Sequence, residues 1–128
     1  MAKYLSQEWL DEGRKLAQEF PERPGATARM QFAVTGAPEG DVKYYQVLDN
    51  GKILESTLGE DANADFTMTS SFDDSVKIQK GELDPNAAFM QGRMKVTGNM
   101  GKLMTLMPLT QSAEYKSIAE KVNAQTEY

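Results

Sequence analysis

Any chemistry in this sequence has to be done without imidazole or thiol, because histidine and cysteine are both absent from its 128 residues. That removes the Ser-His pair, the thiolate nucleophile and every His or Cys metal site. Carboxylates, lysines and tyrosines remain. Tyr44, Tyr45 and the adjacent acids Asp11-Glu12, Glu60-Asp61 and Asp73-Asp74 are the candidates they offer. Adjacent residues on a helix point apart, so such acid pairs make no general acid and base. They read as solvated faces or helix-start charges. No catalytic residue stands at a motif-like spacing, and no metal or cofactor is expected.

Binding is better supported than catalysis. Met90, Met94, Met100, Met104 and Met107 are concentrated in one stretch of the chain. Methionine is unbranched and polarisable, so it repacks around ligands of different shape. Taken singly, each reads more readily as a core residue. The two readings overlap, since the wall of a cavity is made of core side chains. A net charge of −5 argues against nucleic acid and allows at most transient contact with anionic membranes, which need clustered Lys and Arg. Lys77 to Lys80 is a local basic spot. An apolar fraction of 40% and a charged fraction of 26% fit one ordinary globular domain over residues 1–128. No apolar run approaches the ~20 residues of a membrane span. The N-terminus lacks the layout of a secretory signal, so a soluble cytoplasmic protein is expected.

The elements that must position these residues follow from periodicity. Ser6 reads as the N-cap of a helix from Gln7 to Phe20, with Leu5 and Leu10 as a hydrophobic staple and Pro21 as its stop. Met30, Phe32 and Val34 alternate in a strand over Ala28 to Val34. Val42 to Leu48 and Lys52 to Leu58 flank Asn50-Gly51, the strongest short hairpin signal. Ala64, Phe66 and Met68 alternate in a fourth strand, and Met94 and Val96 in a fifth. The outer face of the sheet is expected to carry Lys43, Gln46, Lys52 and Glu55. Ser71 and Asp84-Pro85 read as helix starts, and Gly81 and Gly92 as helix ends. Asn99 caps a helix whose stripe is Met100, Leu103, Met104 and Met107, broken by Pro108. A last helix covers Ser112 to Gln125. Helices gathered on a mostly antiparallel sheet define an α+β layer fold.

The run from Lys80 to Gly101, KGELDPNAAFMQGRMKVTGNMG, closely resembles the signature of the sterol carrier protein-2 family. In that family a G-x-[LM]-[DN]-P-x-x-A-F segment leads through Q-G-[KR]-[LM]-K-[IV] into T-G-N-M-G. The strand Ala64-Asp65-Phe66-Thr67-Met68 is also similar, and the likeness extends over about residues 26 to 107. It implies a five-stranded, largely antiparallel sheet with helices on one face enclosing a hydrophobic tunnel. It implies non-enzymatic binding of fatty acids, fatty acyl-CoA, sterols or phospholipids. The alternative is an accessory subunit that presents a lipid to a partner enzyme. On the resemblance, the ligand-binding residues are Phe89, Met90, Gln91, Met94, Met100, Leu103, Met104 and Met107. Gln91 bonds either a ligand head group or the nearby helix end. Arg23 and Arg29 read as surface residues, with a ligand carboxylate or phosphate as the alternative partner. Met104→Asp is expected to weaken lipid binding. The ending Thr126-Glu127-Tyr128 is unlike the family's peroxisomal tripeptide, and the helical pattern beyond Pro108 would cover the tunnel mouth.

Overall fold

The computed structural model describes residues 2–19, 22–110 and 112–128, with Thr110 by backbone alone. A two-residue strand, β1 (Ala2–Lys3), precedes the first helix. Ser6 starts that helix: its hydroxyl oxygen accepts the Trp9 N–H at 3.1 Å, and α1 runs Gln7–Leu16 before a 3₁₀ turn over Ala17–Glu19. Leu5 and Leu10 are both buried in one cluster, as a staple requires. Phe20 and Pro21, expected to close this helix, lie outside the described residues.

Strands β2 (Ala28–Thr35), β3 (Val42–Asp49), β4 (Lys52–Leu58), β5 (Phe66–Ser71) and β6 (Met94–Gly98) form one sheet in the order β4-β3-β2-β5-β6. The β2–β5 pair is parallel and the others are antiparallel. Asn50 and Gly51 turn the β3–β4 hairpin at φ 49° and 86°, the double positive φ that a type I′ turn needs. The fourth strand starts at Phe66, so Ala64 belongs to the loop before it.

Register decides which side chains face the helices, since a slip of one residue would invert the strand. Met30, Phe32 and Val34 of β2 stand beside Gln46, Tyr44 and Val42 of β3 and beside Phe66, Met68 and Ser70 of β5. Gln46 therefore belongs to the inner face, not to the outer face where its polarity suggested it. Its parity with Tyr44 and Leu48 outweighs its amide. Lys43 and Glu55 do stay exposed on the outer side. The sheet pairing shifts between Val47 and Leu48, and the unpaired Leu54 is left 61% exposed. The free edge of β4 is covered by Gln7, whose amide donates to the Ser56 carbonyl at 2.9 Å and accepts the Leu58 N–H at 3.0 Å. An edge strand satisfied in this way is a poor template for another chain.

Four more helices follow, three of them capped by the residue that the sequence marks and the last by Ser112, which the sequence reading placed within the helix. Ser71 starts α2 (Phe72–Gln79), and Asp84 starts α3 (Pro85–Met90) with Pro85 in its first turn. Asn99 accepts the Lys102 N–H at 3.1 Å at the start of α4 (Met100–Thr110), and Ser112 starts α5 (Ala113–Ala124). Pro108 does not break α4, which continues to Thr110. Proline costs a helix the bond to the carbonyl four residues back. Here that carbonyl belongs to Met104, on the exposed side, and the helix ends within a turn.

Gly98 lets β6 pass into α4. It sits at φ 110°, and a Cβ there would lie 2.7 Å from the Asp65 carbonyl oxygen and 2.8 Å from Phe66 Cα. At the other end of the fold, β7 (Thr126–Glu127) pairs in parallel with β1, and the Trp9 indole N–H donates to the Thr126 hydroxyl at 3.1 Å. No sequence pattern announced this ribbon. The buried residues form three clusters that share Phe32, Ile53 and Val122 at their margins, so the core is continuous. Among the described residues, no helix is long and apolar enough to cross a membrane.

Candidate ligand cavity

Between the inner face of the sheet and the helices lies a cavity of about 190 Å³. Its floor is the alternating set already marked by strand pairing: Met30 and Phe32, Tyr44 and Gln46, Phe66 and Met68, Met94 and Val96. Its roof comes from Ile78 and Gln79 of α2, Phe89 of α3, Leu103, Leu106 and Met107 of α4, and Tyr115 of α5. The wall is predominantly apolar, as a site for a hydrocarbon chain requires.

Of the eight residues assigned from the resemblance, Phe89, Met94, Leu103 and Met107 line this cavity. The other four are not brought to it. Met90 is 85% exposed at the end of α3, one residue beyond Phe89 and therefore turned off the inward face. Gln91 is exposed, and its backbone N–H closes α3 by donating to the Ala87 carbonyl at 2.9 Å. Met100 and Met104 are exposed, Met104 to 63%. The reason is a rotation of α4. The stripe 100, 103, 104, 107 has the spacing of one helix face, but the face one turn on, 103, 106, 107, is the one that docks. Leu106 and Leu109 are buried there. The sequence reading marked only the first of these faces, and the docking of α4 after Gly98 selects the second.

The strand residues that make the floor were not assigned to the site, although their alternation was legible. Any cavity over that face must be lined by them. The polar groups of the wall are Tyr4, Tyr44, Gln46, Ser70, Ser75, Gln79, Asn86 and Tyr115, of which only Tyr44 was a candidate from the sequence, and that for catalysis. Burial raises the Tyr4 phenol to about 12, partly offset by a hydrogen bond with Ser75. Burial also pushes the Tyr44 phenol well above its ordinary value and raises that of Tyr115. These hydroxyls stay neutral at physiological pH. Tyr44 stacks on Phe32 with ring centroids 4.7 Å apart, and Trp9 meets both Tyr4 and Tyr44 edge-on.

The charged candidates lie elsewhere. Arg29 points to the outer side of the sheet and pairs with Asp61 at 2.7 Å, and Tyr45 donates to Glu55 there at 3.0 Å. The guanidinium of Arg29 holds the Asp61 carboxyl below its usual range, with the Asn63 N–H adding to the effect. Arg23 stands 3.9 Å from Glu114. The acidic pairs are likewise engaged: Asp11 accepts from Gln7, Glu60 pairs with Lys43 and Asp74 faces Arg93.

A mixed five-stranded sheet with helices on one face, closed over an apolar cavity, defines a small α+β ligand-binding fold. The chain belongs to the SCP-2 sterol transfer family, whose sequence model matches residues 15–111. Lipid binding and transfer are the general business of that family. The chain is 37% identical over 81 residues to "Sterol carrier protein 2" of Homo sapiens, a match covering 61% of this chain and 14% of that protein. It spans about a seventh of that relative's length. It is 32% identical over 91 residues to "Non-specific lipid-transfer protein-like 1" of Caenorhabditis elegans, covering 70% of this chain and 73% of the relative. A crystal structure of sterol carrier protein 2 shares the fold at a TM-score of 0.72 and 19% identity, covering 98% of this chain and all of the other.

Proposed function

We propose that this chain binds the hydrocarbon part of a lipid, a fatty acyl chain or a sterol-like body, in the cavity and carries it without catalysing a reaction. The observation that supports this best is the wall itself, apolar on both sheet and helix sides and continuous with the core. Typical ligand pockets measure ~300–1,000 Å³. A cavity of about 190 Å³ must therefore widen to take a long chain, and Met30, Met68, Met94 and Met107 in its wall are the side chains best able to yield. Transfer of a chain from water contributes ~0.8 kcal/mol per methylene, or ~12 kcal/mol for about fifteen. Ligand efficiency of ~0.3 kcal/mol per atom sets a lower bound of ~5 kcal/mol for a molecule that size. A micromolar affinity lies between these bounds and permits both capture and release. A second reading, presentation of the lipid to a partner enzyme, is favoured by one observation: the human relative extends far beyond the matched segment.

Displacement of a fluorescent fatty acid tests the assignment. Met107→Asp puts a carboxylate in the wall and should weaken binding by about tenfold or more. Met104→Asp, three residues away on the exposed side of the same helix, should leave affinity within about twofold. Equal loss in both folded variants would move the site off this cavity.

A further inference from the structure

The wall of the cavity changes character along its length, and strand register gives the axis. On the inner face of β5, Phe66 pairs with Gly98 of β6 and Ser70 pairs with Met94. At a strand's rise per residue these two rows lie about 13 Å apart. The helix α4 belongs to the Phe66 end, because it begins just beyond Gly98. The helices α2 and α3 belong to the Ser70 end, because α2 starts where β5 closes and α3 stops shortly before Met94.

The two ends differ in burial. Leu48, Phe66, Leu106 and Leu109 close the first with buried hydrocarbon. At the second, Ile78, Gln79, Pro85, Asn86, Phe89 and Met94 are only half-buried, so the cavity meets solvent there. Leu103 and Met107 of α4 are half-buried as well, but they add neither amide nor hydroxyl. Hydrogen bonding separates the ends further. Tyr4 bonds with Ser75, and Gln46 donates to the Ser56 hydroxyl at 3.2 Å, so these groups are engaged within the protein. The Tyr44 hydroxyl stands farther in, level with Phe32 and Met68. The amides of Gln79 and Asn86 and the hydroxyl of Ser70 make no hydrogen bond among the described residues. At a mouth, water serves such groups in the empty protein, and a ligand atom can replace that water on binding.

We infer that Gln79 and Asn86, with Ser70 at the same end, form a head-group subsite for the carbonyl of an acyl ligand, whose chain then runs inward with its methyl end toward Leu106 and Leu109. The inference rests on the proposed cavity function and assigns the ligand's direction within it. Each side-chain amide brings two N–H donors to a carbonyl or carboxylate oxygen, while the rest of the head, charged or not, stays in solvent. A free acid and an acyl ester share this carbonyl. The reverse orientation presses the head against Phe66, Leu106 and Leu109, whose side chains offer no donor, and leaves hydrocarbon at the mouth.

Isotope-filtered NOE measurements on the intact chain with labelled dodecanoic acid read the direction without any substitution. The methylene next to the carboxyl should contact the side-chain amide protons of Gln79 and Asn86, and the terminal methyl should contact Leu106 and Leu109. Gln79→Met and Asn86→Leu nearly keep side-chain volume and remove the amides, and each should weaken dodecanoic acid or its methyl ester by about threefold to tenfold. Loss with either ligand bears the subsite out, and the tighter of the two names the form it prefers. A carboxyl end placed against Leu106 or Tyr44, or unchanged affinity in both folded variants, would overturn the inference and leave the cavity reading standing. Binding of neither ligand by the parent chain would overturn both.

Discussion

At Tyr4, burial links stability to pH. The phenol has an ordinary value near ~10 in an unfolded chain and is raised to about 12 here by loss of water around the anion. A group whose folded value is raised leaves stability whole below the unfolded value and drains it as pH rises through the folded one. The window is therefore alkaline, from about pH 10 to 12, and the full loss is on the order of 2–3 kcal/mol. Urea unfolding across that range should show the decline, and Tyr4→Phe should remove this share of it. A flat profile in the parent chain would mean that the phenol meets water when folded. Side chains of this kind were the least legible part of the site. Tyr4 stands outside every periodic run, and nothing in a lone tyrosine near the N-terminus says that it roofs a cavity. Gln46 was misplaced for the opposite reason: its amide suggested solvent, while its parity with Tyr44 and Leu48 put it inside.

Among the elements, helix starts and strand alternation were legible because each is fixed by local chemistry. Ser6, Ser71, Asp84 and Asn99 bond the first-turn amides that their types suggested, and Ser112, read only as the first residue of the last helix, caps it in the same way. The rotation of α4 was not legible, since Met100, Leu103, Met104 and Met107 form as good a stripe as the face that docks. Docking is a tertiary choice, made where Gly98 brings the chain over Asp65 and Phe66. Gly98→Ala tests how tightly that junction is built. The added methyl would lie within 3 Å of two backbone atoms at a φ of 110°, so the cost should exceed ~1 kcal/mol. Thermal unfolding measures it. A loss of a few tenths would show that the strand can shift to make room, and α4 with it.

For the whole molecule, a five-stranded, largely antiparallel sheet with helices on one face was readable through the signature around Asp84-Pro85 and Thr97-Gly98-Asn99, whereas the strand order β4-β3-β2-β5-β6 came only with the structure. The ribbon of β1 with β7 was not, because two-residue strands carry no period and pair only once both ends are brought together. That closure matters to the cavity: Tyr4 follows β1 directly, Thr126 of β7 accepts from Trp9, and the Tyr128 ring packs 5.4 Å from Tyr4. The helix α5, expected as a cover, contributes Tyr115 to the wall and buries Ile118 against Ala17. Sheet and helices thus line one apolar cavity, with Tyr4 beside the terminal ribbon in its wall, and the central claim is that a lipid chain occupies it. Native mass spectrometry of gently purified chain, before and after solvent extraction, tests that most directly. The account predicts a lipid-sized adduct that disappears on extraction and returns when a long-chain lipid is added back. A bare mass that no added lipid shifts would contradict it.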